Sequence, residues 1–155
     1  MIRVTDLVEF LIARLDERQV LAEAASWSDD SNVWLAGQNV HDQRWYVVDS
    51  MEEGVLDRVH AHAADDAAVA KLVAANDPAF VLADVAAKRR ILARHRVPTK
   101  SEWQRWHARM CLGCGTMGEF DDPRVREINE CPELRDLASP YAEHADFQPE
   151  WRLRD

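Results

Sequence analysis

Three cysteines in the last third of the chain constrain its fold more than any other feature. Two form a C-x-x-C step in "CLGCG", residues 111–115, and Cys131 follows in "NECPELRDL". Glycines between and after the paired thiols permit the tight backbone that lets two sulfurs face one ion. Cys131 sits at a predicted helix start, where the helix dipole favours a thiolate. We therefore predict a structural zinc site with Cys111, Cys114 and Cys131 as ligands.

A tetrahedral site needs a fourth ligand, and we expect a histidine. His107 is the first choice, because it lies four residues before Cys111 and would share one helix face with it. His95, at the end of the preceding predicted helix, is the alternative if the intervening segment folds back. His144 would need a sharp turn to return, and water or no ligand stays open. Without a metal, the three thiols would be reduced cysteines that fill space as small hydrophobic groups.

The bulk composition is that of an ordinary globular protein. The chain has 155 residues, 47% of them apolar, with few glycines and prolines, and we predict a single domain over residues 1–155. No stretch approaches the ~20 apolar residues that span a bilayer, and the acid-interrupted N-terminus does not look like a signal peptide. The expected compartment is the reducing cytoplasm, where an odd number of thiols is unremarkable.

The pattern of apolar and polar residues predicts a mainly helical α+β fold. It indicates about five helices, a small β-hairpin near residues 32–49, which could also be part of a two- or three-stranded sheet, and a cysteine-rich knuckle near residues 111–131. The helices are expected over about residues 4–25, in the alanine-rich stretch after residue 51, from Asp77 to about residue 95, after Thr99, and from Pro132.

Helix ends carry start signals. Asp77 can cap with Pro78 at the first helical position, Thr99 and Glu102 have capping-box spacing, and Thr5 with Asp6 suits the first helix. The apolar stripes expected to be buried are Leu7, Leu11, Leu15, Val20 and Leu21, then Val69, Leu72 and Val73, then Phe80, Val81, Val85, Ile91 and Leu92.

Aromatic residues are read mainly as packing groups. The runs "NVWLAG" and "RWYVVDS" are typical of short strands, and a sheet this small must pack against helices, so Trp34, Trp45 and Tyr46 are predicted to pack rather than to stack on a ligand. The tail "YAEHADFQPEWRLRD" is expected to lie along the surface, held there by Tyr141, Phe147 and Trp151.

Charge is distributed unevenly along the chain. The net charge of −9 conceals a basic block at residues 83–109, which holds eight bases and two acids. Such blocks commonly form a solvated face or pair with acidic surface elsewhere. If the block is instead a binding surface, the residues that contact the partner are expected to be Arg89, Arg90, Arg94 and Trp103. Basic residues interleaved with tryptophan are also found in nucleic-acid-binding sites.

The sequence motifs that would indicate catalysis are incomplete or absent. In "HAHAADD", His60 and His62 would point to nearly opposite sides of a helix, and the last histidine of a binuclear hydrolase motif is missing. A zinc deaminase needs H-x-E and P-C-x-x-C, and the chain has neither. There is no P-loop, G-x-G-x-x-G or G-x-S-x-G. We therefore lean towards a non-enzymatic protein.

Several segments together resemble a known family. They are "LVEFLIARLDERQ", "NDPAFVLADVAAKRRILARH" and "CPELRDLASPYAEHADFQPEW", with the "CLGCG" knuckle between the last two. The order and spacing are similar to a domain of unknown function from actinobacteria and their phages. Where that family often has a histidine before its "DP" step, this chain reads "KLVAANDP". The resemblance supplies no activity and implies a small cytoplasmic accessory protein of bacterial or phage origin.

Three function classes follow. The leading hypothesis is a non-enzymatic interaction protein that is stabilised by a zinc ion and binds another macromolecule. A protein is the favoured partner, because complementary charged patches on two proteins steer their encounter. The second is a nucleic-acid-binding regulator that uses residues 88–109. The third is a metal-dependent hydrolase, which would need an open coordination position.

Overall fold

A computed structural model describes residues 6–60, 65–102 and 108–153 of the chain. The fold is α+β, as predicted, although the described residues hold four α-helices rather than about five. Residues 103–107, on which the helix expected after Thr99 depends, lie outside the described part. In chain order the elements are α1 Leu7–Ala24, β1 Trp34–Gln38, β2 Trp45–Asp49, β3 Gly54–Leu56, α2 Asp66–Ala74, α3 Pro78–Arg94, β4 Thr116–Met117, β5 Asp122–Pro123 and α4 Pro132–Ala138.

The chain divides into two compact units. One comprises Met1–Asp16 with Ala86–Asp155, and the other comprises Glu17–Val85. The single domain expected over residues 1–155 stays a prediction. None of the helices in the described ranges is both long and apolar enough to cross a bilayer.

The unit Glu17–Val85 is built on a three-stranded antiparallel sheet in the order β1-β2-β3. The predicted hairpin is present as β1 and β2, with Trp34 opposite Asp49 and Gly37 opposite Tyr46. A side chain on Gly37 would overlap the Tyr46 ring, since its Cβ would lie 2.5 Å from it. The sheet packs on α2 through a core of Val47, Val59, Ala70 and Ala74, against which Trp34 and Trp45 lie.

The third strand stands where the alanine-rich helix was expected to begin. Asp49 is buried at the end of β2, and its carboxylate accepts hydrogen bonds from the backbone N–H groups of Met51 and Glu53, both at 2.9 Å. These bonds form a tight turn that returns the chain as β3. Burial opposes ionisation of Asp49, but the hydrogen bonds from Glu53, the Trp27 indole and Met51 outweigh it, so its pKa lies below the ordinary value. The helix α2 starts only at Asp66.

Predicted helix caps are present where the structure describes them. Asp77 accepts a hydrogen bond from the Phe80 N–H at 2.7 Å and so caps α3. Its other carboxylate oxygen accepts from the Trp34 N–H at 3.2 Å, which ties β1 to the start of α3. Asp6 caps α1 through the Val8 N–H at 2.9 Å, whereas Thr5 lies outside the described residues.

Some apolar residues that helical spacing predicted to be buried are exposed. Val20 and Leu21 of α1 are 62% and 70% exposed, and Phe80 of α3 is 53% exposed, while Leu72 of α2 also faces solvent. Small residues are buried in their place, among them Ala22 of α1 and Ala70 and Ala74 of α2. Spacing defines an apolar stripe, but the neighbouring elements decide which part of it is covered.

The unit Met1–Asp16 with Ala86–Asp155 is centred on Phe10. The rings of Tyr141, Phe147 and Trp151 all lie within 6.2 Å of the Phe10 ring, centroid to centroid. Trp151 is only 1% exposed. The tail expected along the surface therefore contributes two of its aromatic residues, Phe147 and Trp151, to the core, because Phe10 and the first turns of α1 offer an apolar face that these rings cover.

Candidate metal centre

The four residues of the candidate centre come from three separate segments of one unit. His95 directly follows α3, Cys111 is the N-cap residue of a single 3-10 turn that ends at Cys114, and Cys131 directly precedes α4. The Leu112 N–H donates to the Arg96 carbonyl at 3.0 Å, which holds the turn beside the end of α3. The Cys111 N–H donates to the Val125 carbonyl, also at 3.0 Å, and anchors the start of the turn to the returning chain.

Glycine at position 113 permits the close approach of the turn to α3. A Cβ atom there would lie 2.7 Å from the His95 ring and 2.9 Å from the Arg94 carbonyl oxygen. Gly115 has a φ of +72°, a backbone conformation that L side chains rarely adopt. The β4–β5 hairpin begins directly after it.

The ligand atoms lie within 4.8 Å of one another. The Cys131 sulfur is 3.6 Å from each of the Cys111 and Cys114 sulfurs. The His95 Nδ1 atom is 3.4 Å from the sulfurs of Cys111 and Cys131 and 3.8 Å from that of Cys114. One imidazole nitrogen and three sulfurs thus form the corners of a small tetrahedron.

The size of this tetrahedron matches that of a tetrahedral metal site. Bonds of about 2.3 Å to sulfur and about 2.0 Å to nitrogen place sulfurs roughly 3.8 Å apart and sulfur roughly 3.6 Å from nitrogen. Five of the six separations between the ligand atoms are 3.4 to 3.8 Å and lie close to these values. The arrangement can therefore hold one metal ion.

Burial governs the protonation of the thiols. Cys111 and Cys131 are fully buried, and Cys114 is half-buried. Burial raises the pKa of Cys131 to about 12, and burial together with hydrogen bonding to Cys111 and Cys131 raises the pKa of Cys114 further above its ordinary value. The thiols of Cys114 and Cys131 are thus neutral at pH 7 in the absence of an ion, and a bound cation must displace their protons.

Sequence reasoning missed one further residue at the centre, Glu133. Its Oε2 atom lies 3.4 Å from the sulfurs of both Cys114 and Cys131 and 3.9 Å from His95 Nδ1. The pKa of Glu133 lies below its ordinary value, mainly because its carboxylate accepts a hydrogen bond from its own backbone N–H in the first turn of α4. Burial opposes this lowering, whereas hydrogen bonds from the Cys131 and Cys114 thiols add to it. The only signal in the sequence was its position two residues after Cys131.

The other predicted ligands lie elsewhere or outside the description. His107 and Trp103 fall outside the described residues. His144 is placed in the tail, where its Nδ1 atom lies 2.9 Å from Arg14 Nη1 and accepts a hydrogen bond from the Asp146 N–H. Of the histidines in the described ranges, His95 is the one grouped with the cysteines.

At least three of the eight basic residues of the block form ion pairs. Arg89 contacts Asp16 at 2.6 Å, and Arg96 makes two hydrogen bonds to Glu102. Arg109 binds Glu127 through two nitrogens and also reaches Asp6. The Glu102 carboxylate also accepts from the Thr99 N–H at 2.8 Å, as the capping-box spacing predicted. Arg90 and Arg94 are exposed on α3.

Comparison with known proteins places the chain in a family without assigning an activity. No curated protein and no solved structure was found to match it. The family described as a family of unknown function, DUF6221, matches residues 4–153 and so covers both the helices and the cysteine cluster. The chain therefore belongs to this family of unknown function.

Proposed function

We propose that this protein is a small, non-enzymatic interaction protein that is stapled by one structural zinc ion and binds another protein. The observation that carries the proposal is the convergence of three sulfurs and one imidazole nitrogen at tetrahedral spacing. His95 is the fourth ligand in this proposal. The ion would join the end of α3, the cysteine turn and the start of α4. In the described residues between these helices, the regular structure consists only of 3-10 turns and the two short strands β4 and β5.

Zinc is the ion that this ligand set suits best. Thiolate and imidazole ligands in a tetrahedron are typical of structural zinc sites. A two-iron cluster would hold its ligands in pairs on separate irons, whereas all four ligand atoms here lie within 4.8 Å of one another. One mononuclear ion accounts for this compact group.

The closed ligand set favours a structural role over catalysis. Catalytic zinc sites keep an open position for water or substrate and use three protein ligands. Here four protein ligands surround one point, and two of the cysteines are fully buried. This argues against the metal-dependent hydrolase considered as an alternative.

Protein is the favoured partner because the charged surfaces are mixed in sign. Arg89, Arg96 and Arg109 pair with acids of the same unit, which leaves little continuous positive surface for a phosphate backbone. Arg90 and Arg94 lie one helical turn apart and exposed on α3, next to His95. We place the partner surface at this pair.

Zinc content tests the metal part of the proposal. Protein purified without chelator is expected to contain one zinc per chain by elemental analysis, and Cys114→Ser is expected to lower both zinc content and melting temperature. His95→Ala and His107→Ala form a matched pair, of which only the first should lose zinc. Zinc retained by His95→Ala and lost from His107→Ala would instead assign His107 as the fourth ligand.

A charge-reversal variant tests the partner surface. Proteins captured from a bacterial lysate by the wild type are compared with those captured by the double variant Arg90→Glu, Arg94→Glu at equal zinc content. A specific protein that is lost from the variant supports the proposal. Capture of nucleic acid that falls steeply with added salt would favour the nucleic-acid regulator, and identical capture by both proteins would remove this surface.

A further inference from the structure

A pocket in the unit Glu17–Val85 carries unpaired hydrogen-bond donors and is independent of the metal centre. It has a volume of about 250 Å³ and lies between the end of α1 and the start of α3. Its walls are mainly apolar, and they include Leu21 and Ala25 on one side and Pro78 and Val81 on the other. Ala22 adds to these walls, and Arg18, Trp34 and Asn76 are the polar members of the lining.

Two of the three polar residues of the lining, Arg18 and Trp34, each have a buried N–H group without an acceptor. Within the described residues, only three buried side-chain nitrogen or oxygen atoms have no hydrogen-bond partner, namely Arg18 Nε, Trp34 Nε1 and Ser28 Oγ. Two of the three atoms therefore belong to residues that line this one pocket, and Ser28 lines a second one. Buried donors are normally paired, because an unmade hydrogen bond is costly, so each exception needs an explanation.

The surrounding contacts hold these donors in place without satisfying them. The Trp34 backbone is held by Asp77, while its ring packs on the core beneath β1. Arg18 approaches Asp84 only through its terminal Nη2 atom, at 3.9 Å, so that contact does not engage Nε. The Arg18 side chain as a whole is partly exposed.

We propose that this pocket binds a small monocarboxylate with an apolar body. The apolar walls would cover the body, as is usual for small-molecule sites, where a few polar groups orient the ligand. The carboxylate would accept from Arg18, a charge-assisted bond stronger than one between neutral groups, and would supply the acceptor that the Trp34 indole lacks. The volume lies just below the ~300–1,000 Å³ range of drug-sized ligands, so a compact acid fits best.

Titration with benzoate tests this proposal, with the indole N–H resonance of Trp34 as the readout. The resonance is assigned by its loss in Trp34→Phe. Benzoate is expected to shift it saturably, with a dissociation constant on the order of 1 mM for so small a ligand. Benzylammonium, which has the same ring and the opposite charge, is expected to shift it far less.

Two variants separate binding from folding. Arg18→Met keeps an unbranched apolar stem and removes the guanidinium donor, and it should weaken benzoate binding at least tenfold. Ala25→Phe should fill the pocket and abolish binding, whereas Ala93→Phe, an exposed site on α3 outside the pocket, should leave it unchanged. An indole resonance that does not respond to benzoate, or that responds equally to benzylammonium or in Arg18→Met, would overturn the proposal and leave water as the occupant.

Discussion

The Nδ1 atom of His95 lies 3.4 Å from the sulfur of Cys131, although 36 residues separate them in the chain. His95 directly follows α3 and Cys131 directly precedes α4, so this contact closes a long loop that contains the cysteine turn and the β4–β5 hairpin. Closing a loop of this length restricts the unfolded chain strongly. A metal ion at this point would therefore stabilise the whole segment rather than a local turn.

Gly113→Ala should weaken metal binding without removing a ligand. The added Cβ would lie 2.7 Å from the His95 ring and 2.9 Å from the Arg94 carbonyl, so the imidazole or the turn must move. Displacement of one ligand by a few tenths of an ångström should lower zinc affinity by at least tenfold, within the 10–100-fold range seen when the support of a ligand is lost. Competition with a coloured chelator measures this change.

Gly54→Ala is the matched control for that substitution. Its added Cβ would meet only the carboxylate end of Asp57, at 2.8 Å, which is a flexible side chain in the other unit. We expect unchanged zinc affinity in this variant. Equal loss of affinity in both variants would mean that Gly113 acts through general destabilisation.

Zinc affinity should rise steeply with pH. Burial raises the pKa of Cys131 to about 12 and that of Cys114 higher still, so both thiols carry protons in the metal-free folded protein at pH 6–8. Zinc binding releases these protons, and binding that releases a proton becomes tighter as the pH rises. Release of the protons of Cys114 and Cys131 alone implies an increase in the association constant of at least about a hundredfold per pH unit. Chelator competition at pH 6, 7 and 8, corrected for the chelator's own protonation, gives the slope.

A slope near zero would contradict this account of the centre. It would mean that the ion binds groups that are already deprotonated, such as carboxylates. In the variant Cys114→Ser, the slope should fall by about one unit in the logarithm, because one thiol proton fewer is released.

Trp151→Ala should destabilise the unit that contains Phe10 severely. Trp151 is 1% exposed and packs on the rings of Phe10 and Phe147 at centroid distances of 5.2 and 5.6 Å. Loss of a buried aromatic side chain of this size typically costs about 3–5 kcal/mol in the free energy of unfolding. Urea denaturation followed by circular dichroism measures the loss. Phe120→Ala, at a residue that is 85% exposed, should change this free energy by less than about 0.5 kcal/mol.

Glu127→Gln should lower the free energy of unfolding at neutral pH but have less effect in acid. Arg109 donates to both carboxylate oxygens of Glu127, and this pairing holds the pKa of Glu127 below its ordinary value of 4.5. A carboxyl with a depressed folded-state pKa stabilises the protein above its unfolded-state pKa, and this stabilisation disappears as the pH falls through the folded-state value. Because the pair is partly exposed, we expect a loss of about 0.5–1 kcal/mol at pH 7.

The same pair of denaturation curves, repeated at pH 3, provides the check. The difference between the variant and the wild type should shrink as Glu127 becomes protonated. Glu130→Gln, at an exposed position of the same 3-10 turn, should change stability little at either pH. A difference for Glu127→Gln that persists undiminished in strong acid would show that the carboxylate acts through shape rather than charge.

The local elements of the fold were predictable because each has a short-range cause. The start of α3 follows from Asp77 and Pro78, the capping contact of Thr99 with Glu102 from their spacing, and the pairing of β1 with β2 from two runs rich in Val, Trp and Tyr. The third strand was missed because it depends on the buried Asp49 carboxylate. An isolated Asp-containing segment does not reveal which backbone N–H groups it will capture.

The sequence by itself determined the ligand chemistry of the candidate centre, since thiols at C-x-x-C spacing need only a tight turn to face the same way. Only the tertiary structure decided that His95 lies beside them, that Glu133 stands next to the cluster, and that Trp151 is buried while Leu21 is not. The physical reason is that spacing along a helix or turn sets the relative directions of nearby side chains. Which of those directions meets another segment depends on how distant parts of the chain pack.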